Sequence, residues 1–175
     1  MIFFKKKSDT HFYLYEKMAK LSRNINLYKS CTFLDSIDGR FEMLLMHVIL
    51  LVRRLNSENK DGLSQSVVDL MFSTIDLSFR EEGVGDLSIP KKMKKVGKVF
   101  YGRIASLDNV LKIEDPTNRR EEIVKYFMRN AFLDDKKYIS NAITLSEYVI
   151  YLEEVLRNSK IEDIIKIEIE ELGIF

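Results

Sequence analysis

Turn-forming residues and cysteine are scarce in this 175-residue chain, which has seven glycines, two prolines and one cysteine. Sheets and long loops depend on turn residues, so their scarcity favours helices. The single cysteine, Cys31, excludes an internal disulfide and is typical of a protein from a reducing compartment. A lone cysteine is usually a small packing residue, and we predict no nucleophilic role for it.

Long apolar runs and a strong charge of one sign are also missing. The longest apolar stretch, residues 43–52, is about half of the roughly 20 residues that span a bilayer. The N-terminal sequence MIFFKKKSDT lacks the pattern of a secretory signal, so we expect a cytoplasmic protein. A formal net charge of +1 gives no general attraction to nucleic acid, and we expect no specific DNA partner.

Helical periodicity, in contrast, runs along nearly the whole chain. We predict an all-α fold, a single-domain bundle of about six to eight helices over residues 1–175. The predicted helices cover residues 10–21, a short stretch ending near 31, then 40–55, 63–82, 89–112, 117–132 and 141–157, with a loop near 35–39. Residues 161–175 fit a strand and a helix, and we favour a helix because no other strand is available for pairing. The first predicted helix is amphipathic, with Phe12, Tyr15, Met18, Ala19 and Ser22 at helical spacing.

The third predicted helix is the most apolar one. Its polar residues Arg40, His47 and Arg54 recur at seven-residue steps and therefore lie on one narrow stripe. A helix that is apolar around the rest of its circumference belongs in the middle of a bundle. We expect His47 to face a groove or a carboxylate of a neighbouring helix, with Asp69 or Asp76 as the partner.

Two glycines mark the corner between the fourth and fifth predicted helices. Gly83 is placed to end the fourth helix in the left-handed conformation, which glycine adopts without strain. Asp86 or Ser88 is placed to cap the next helix. One turn earlier, Asp76 and Arg80 are spaced for an ion pair between neighbouring turns.

The helix predicted over residues 89–112 has two unlike faces. Its apolar stripe consists of Met93, Val96, Phe100, Ile104, Leu107 and Leu111. Lys91, Lys94, Lys95 and Lys98 fall on the opposite side, and no acidic residue occurs between 88 and 107. These four residues, the lysine face, suit anionic lipid, ribosomal RNA or an acidic protein partner. The alternative is that they are only a solvated surface.

Residue spacing gives no catalytic or metal-binding motif. Glu42 and His47 are five positions apart, about 140° around a helix, and cannot converge on one ion. The second histidine, His11, lies near the N-terminus. We therefore predict no catalytic residues, no metal, no cofactor and no enzymatic activity.

Two stretches of the chain resemble a known family, and several short motifs coincide in order. The first stretch is Gly39-Arg40-Phe41-Glu42-Met43 with His47 and Arg53-Arg54-Leu55. The second is Asp69-Leu70-Met71-Phe72, Arg80-Glu81, Gly83-Val84-Gly85-Asp86-Leu87, Lys91-Lys92 and Tyr101-Gly102-Arg103. Over about residues 10–155 this pattern is similar to the ubiquinol–cytochrome c chaperone family, the assembly factors of respiratory complex III.

The resemblance implies a function, partners and a location. A member of this family would bind newly made cytochrome b near the ribosome and the inner membrane, together with a small partner protein. Peripheral membrane contact is therefore expected, and the composition suggests a bacterial source. The alternative function, from a different class, is a peripheral lipid- or quinone-binding helical protein without a client.

Charged residues inside the family motifs form either a buried salt-bridge network joining three helices or a client-binding groove, and we favour the network. These residues are Arg40, Glu42, Arg80, Glu81, Asp86 and Arg103. Arg103 and the lysine face are the candidate client- or partner-binding residues. Gly102, which has no side chain, is expected to permit a close helix crossing.

Overall fold

A computed structural model describes residues 9–30 and 35–167 of the chain. Its α-helices are α1 Thr10–Ser22, α2 Ile25–Ser30, α3 Ile37–Ser57, α4 Asp61–Glu81, α5 Ile89–Leu111, α6 Pro116–Ala131, α7 Ile139–Asn158 and α8 Ile161–Ile164. A short 3-10 helix, Lys136–Tyr138, precedes α7. No strand occurs in these two described ranges, and the all-α prediction is confirmed. Cys31 lies outside the described residues.

Helix α3 lies at the centre of the bundle, where it contacts α1, α4, α5 and α7. Its buried side chains lie around most of its circumference, as expected for a central helix: Met43, Leu45, Met46, His47, Val48, Ile49, Leu50, Leu51, Val52 and Leu55. The other helices bury one side each, and the buried apolar side chains from α1 to the residues after α8 form one cluster.

Local capping decides where two of the helices begin. The Ser36 hydroxyl accepts a hydrogen bond from the Gly39 backbone N–H at 3.1 Å, so α3 begins at Ile37. The prediction of a loop near 35–39 is therefore wrong for residues 37–39, which belong to α3. In the same way the Asp115 carboxylate accepts from the Asn118 N–H at 2.6 Å and starts α6, whose first residue is Pro116.

Gly83 ends α4 as predicted, with a φ of +80°. The Val84 N–H donates to the Phe79 carbonyl and the Gly83 N–H to the Arg80 carbonyl, both at 3.0 Å. This pair of bonds satisfies the last carbonyls of the helix and reverses the chain. The predicted cap of α5 is wrong, because Ser88 makes no side-chain capping bond and the Asp86 carboxylate accepts from Arg80 at 2.6 Å.

The two ends of the described chain differ from the sequence prediction. In α1 the predicted stripe residues Tyr15, Met18, Ala19 and Ser22 are buried, but Phe12 is 48% exposed and Leu14 is fully buried in its place. Helix α8 ends at Ile164, and the Lys17 ammonium donates to the Ile167 carbonyl at 2.9 Å in a buried contact. The rest of the predicted 161–175 helix, residues 168–175, lies outside the described residues. Among the described helices none combines the length and apolar character needed to cross a bilayer.

Candidate docking surface and the contacts that support it

The lysine face is exposed along the first half of α5, as its spacing predicts. The opposite side of the helix is anchored by Val96, Phe100, Leu107 and Leu111, which are buried. The residues of α5 that make ion pairs are Arg103 and Asp108, and none to the lysine face occurs among residues 9–30 and 35–167. The four ammonium groups therefore present their charge to the surroundings.

The α4–α5 corner, residues 82–88, stands at the N-terminal end of the lysine face. Leu87 is 99% exposed there, although it is a large apolar residue. Arg80, at the end of α4, donates to Asp76 at 2.7 Å and to Asp86 at 2.6 Å. The predicted Asp76–Arg80 pair is therefore present, and it is extended across the glycine turn by Asp86.

The charged family-motif residues form separate pairs instead of one buried network. Arg103 donates in a bidentate way to Glu42, with Nε–Oε2 3.0 Å and Nη2–Oε1 2.8 Å, and this partly buried pair joins α5 to α3. Arg40 pairs with Asp35 at the exposed start of α3, at 3.0 Å from Nη2 to Oδ2. Glu81 is exposed at the end of α4. The predicted three-helix network is therefore wrong, because the glycine corner and the length of α3 separate these groups.

Tyr126 of α6 adds a third group beside the Glu42–Arg103 pair. Burial raises the pKa of the Tyr126 phenol, and the nearby Glu42 carboxylate raises it further. The tyrosine therefore stays neutral, and the negative charge of the site is the Glu42 carboxylate. Arg103 pairs with this carboxylate and so links α5 to α3. The lysine face of the same helix remains exposed.

His47 is fully buried and makes two hydrogen bonds. Its Nδ1 lies 2.7 Å from the Met43 carbonyl oxygen, which only accepts, so Nδ1 carries the proton. Its Nε2 therefore accepts from the Tyr148 hydroxyl of α7 at 2.6 Å. Burial lowers the pKa of His47 to about 4, which keeps the ring neutral. The predicted carboxylate partner is wrong: Asp69 accepts from Gln65 at 2.7 Å on the exposed side of α4.

The other members of the predicted polar stripe also have structural contacts. Arg54 donates from Nε to the Leu156 carbonyl at 2.7 Å and from Nη2 to the Ser159 carbonyl at 3.0 Å. It thereby satisfies backbone groups at the C-terminal end of α7. Arg53, next to it, pairs with Asp108 of α5 and lies 3.8 Å from Glu153 of α7. These arginines tie three helices together at one end of the bundle.

The remaining family-motif positions have less specialised surroundings. Phe41 is half-buried against the core. Tyr101 is 59% exposed. Gly102 is exposed, and a Cβ built on it would meet nothing within 4 Å. The predicted close helix crossing at Gly102 is therefore wrong.

Two open grooves were not predicted from the sequence. The larger one, about 920 Å³, runs beside α1 and is lined by Tyr13, Glu16, Lys20, Arg23, Ile25 and Ile165 among others. The smaller, about 540 Å³, lies between α3, α5 and α7 around Arg53 and Asp108. Tyr13 and Ile25 lie exposed in the larger groove. In the sequence, the larger groove is indicated by apolar residues of α1 that lie outside the core-facing stripe of this helix.

In the described part of the chain no group of three or more His, Cys, Asp or Glu side chains is placed to hold a metal ion. The geometry therefore defines a helical protein whose exposed features are a basic helix face, an exposed leucine at the α4–α5 corner and open grooves. These are surfaces suited to binding another macromolecule. The absence of a cofactor and of enzymatic activity stays a prediction.

Comparison with known proteins places the chain in a family. The model of the ubiquinol-cytochrome C chaperone family matches residues 29–170, so the chain belongs to that family and is an assembly chaperone for ubiquinol–cytochrome c reductase. Its fold is similar to the crystal structure of the Cbp3 homologue from Brucella abortus, with 30% identity and a TM-score of 0.76. That match covers 89% of this chain and 84% of the Brucella chain. None of the curated proteins matches this sequence.

Proposed function

We propose that this chaperone binds newly made cytochrome b near the ribosome and the membrane and holds one of its apolar segments until assembly. The observation that carries the proposal is family membership over residues 29–170, supported by the similarity to the Cbp3 homologue. A chaperone needs a client, and an apolar segment of a membrane protein is a client that would otherwise aggregate in water.

The groove beside α1 is the part of the surface that best suits an apolar client segment. Tyr13, Ile25 and Ile165 are exposed along it, and Glu16, Lys20 and Arg23 provide polar groups at its edges. Exposed apolar side chains with polar neighbours are typical of sites that bind protein segments. The client would gain burial of its apolar side chains, while the charged edges stay hydrated.

Site-specific photo-crosslinking in cells tests the proposal. A photoreactive phenylalanine analogue replaces Tyr13 in one variant and Leu133 in a matched control, since Leu133 is also exposed but lies in the turn after α6. We expect cytochrome b adducts at position 13 and much weaker ones at position 133. Equal adducts at both positions, or none with cytochrome b at either, would contradict the proposed client contact.

The alternative function, lipid or quinone binding in an apolar pocket, gains no support from the larger groove. Ligand pockets are concave and bury most of the ligand surface. This groove is open, and Glu16, Lys20 and Arg23 lie among its apolar side chains. The alternative requires that the purified protein carries a stoichiometric lipid or quinone. Extraction of the purified protein followed by mass spectrometry would detect such a ligand.

A further inference from the structure

The α4–α5 corner and the lysine face combine an exposed apolar tip with a basic helix surface. Leu87 is 99% exposed and lies in the turn, four residues before Lys91. On a helix of 100° per residue the four lysines cover an arc of about 100°, and they extend about 10 Å along the axis. The segment 89–98 contains five lysines and no acidic residue. Tyr101, also exposed, continues the arc one turn beyond Lys98.

We propose that this surface binds an anionic lipid bilayer, with Leu87 inserted among the lipid chains and the lysine face on the headgroups. This inference rests on the proposed function, in which the chaperone works near the membrane, and it names anionic lipid as the partner of the lysine face. Peripheral helices bind membranes through this combination of apolar insertion and lysine attraction to anionic lipid. Tyrosine is also a residue that favours the membrane–water interface.

Leu87 is the residue that favours lipid over RNA. Lysines alone serve both partners, because both carry phosphate groups. A leucine side chain gains free energy when it leaves water for hydrocarbon, but an RNA backbone offers it no apolar partner. A fully exposed leucine has no core contacts to lose, so almost its whole side-chain surface is available for insertion.

Acidic residues near the corner do not cover the lysine face. Asp86 is engaged by Arg80, which also holds Asp76. Glu81 is the last residue of α4, and Glu82 is the first residue of the corner, before the reversal at Gly83. The lysine face follows the reversal, on the exposed side of α5, and makes no ion pair with them in the described part of the chain.

A tryptophan probe tests the insertion directly, because the chain contains no tryptophan. Leu87→Trp places one reporter at the corner. Leu133→Trp is the matched control, since Leu133 is 87% exposed but belongs to the turn after α6. With vesicles of phosphatidylcholine and phosphatidylglycerol, we expect a blue shift of the Leu87→Trp emission and its quenching by brominated lipid chains. The Leu133→Trp emission should stay unchanged. No shift at position 87, or equal shifts in both variants, would overturn the proposal.

A second variant separates lipid from RNA. Leu87→Ser removes the apolar tip and leaves every lysine in place, so we expect roughly tenfold weaker vesicle binding. Thermal melting and cosedimentation with ribosomes should not change. If Leu87→Ser binds vesicles like the wild type, or if it loses ribosome binding instead, the surface is not a membrane anchor. These assays contain no cytochrome b, so their failure would leave the client-binding proposal standing, and the crosslinking test would decide that proposal separately.

Discussion

At the scale of single residues, His47 is held in the core by a hydrogen bond from a distant part of the chain. Tyr148 is 101 positions from His47 and is brought to it only by the packing of α7 on α3. The sequence pattern reports local geometry, whereas such a partner depends on tertiary packing.

The buried His47 predicts a stability that depends on pH. Burial lowers the pKa of His47 to about 4 in the folded protein, below its ordinary value of 6.5. The unfolded chain therefore takes up a proton first, so stability is complete above pH 6.5 and is lost as the pH falls towards 4. By about pH 5.5 the loss from this group should be on the order of 1 kcal/mol. Urea unfolding at a series of pH values measures it.

His47→Gln is the control for this titration, since glutamine does not ionise in this range. Its unfolding free energy should be lower than that of the wild type at neutral pH. The difference between the two proteins should then shrink as the pH falls below 6.5. A constant difference between pH 7.5 and about pH 5 would show that His47 does not titrate as described.

From the separate ion pairs we derive a second prediction at the residue scale, which concerns the free energy of unfolding. Glu42→Ala leaves the partly buried Arg103 guanidinium without its bidentate partner, and we expect a loss of about 1–3 kcal/mol of unfolding free energy. Asp76→Ala, which affects the exposed pair with Arg80, should cost less than about 1 kcal/mol. Chemical unfolding of both variants gives the comparison. Equal losses of unfolding free energy in the two variants would contradict the assignment of Glu42–Arg103 as the pair that stabilises the contact between α3 and α5.

At the scale of elements, the helices were the most predictable part of the fold. Their apolar periodicity located α3, α4, α5, α6 and α7 with shifts of a few residues at the ends. The larger errors have local causes. The Ser36 cap places the start of α3 at Ile37, and the burial of Leu14 instead of Phe12 depends on how α1 packs against α3 and α4. Periodicity does not determine either feature.

The two faces of α5 predict opposite responses to substitution. Phe100 is fully buried and packs edge-to-face on Phe72 with ring centroids 5.6 Å apart. Phe100→Ala should therefore cost about 3–5 kcal/mol of folding stability. Tyr101→Ala, on the exposed side, should change it by less than about 0.5 kcal/mol. Thermal and urea unfolding measure both, and a small loss for Phe100→Ala would contradict the position of α5 in the core.

The lysine face should act in docking and not in stability. The four substitutions Lys91→Glu, Lys94→Glu, Lys95→Glu and Lys98→Glu should leave the melting temperature almost unchanged, because these side chains are exposed. Each lysine near an anionic surface contributes about 1 kcal/mol to the binding free energy. The affinity for anionic vesicles, measured by cosedimentation, should therefore fall by more than about tenfold. Wild-type binding should also decrease as salt is added.

A matched control for the charge reversal uses four exposed lysines elsewhere, Lys29, Lys60, Lys136 and Lys160. Their replacement by glutamate changes the net charge by the same amount. We expect this control to retain most of the vesicle binding. If both sets weaken binding equally, the attraction depends on total charge and the lysine face has no special role.

For the molecule as a whole, sequence motifs and structure contribute different information. The order of the motifs from Gly39 to Arg103 indicated the family, and the match over residues 29–170 confirms it. The surfaces were harder to predict. The lysine face follows from helical spacing, but the exposure of Leu87 and the groove around Tyr13 depend on how the helices pack. The chain is thus an assembly chaperone of this family, and we propose that it holds cytochrome b and docks through the N-terminal half of α5.

Capture of the full chain from living cells tests this function. Cells carrying a tagged copy receive a short pulse of labelled amino acids, and the tagged chain is isolated at intervals during the chase. We expect labelled cytochrome b to be recovered immediately after the pulse and to decline as it enters ubiquinol–cytochrome c reductase. If the isolated chain carries no labelled cytochrome b at any interval while the reductase assembles normally, the proposed function is wrong.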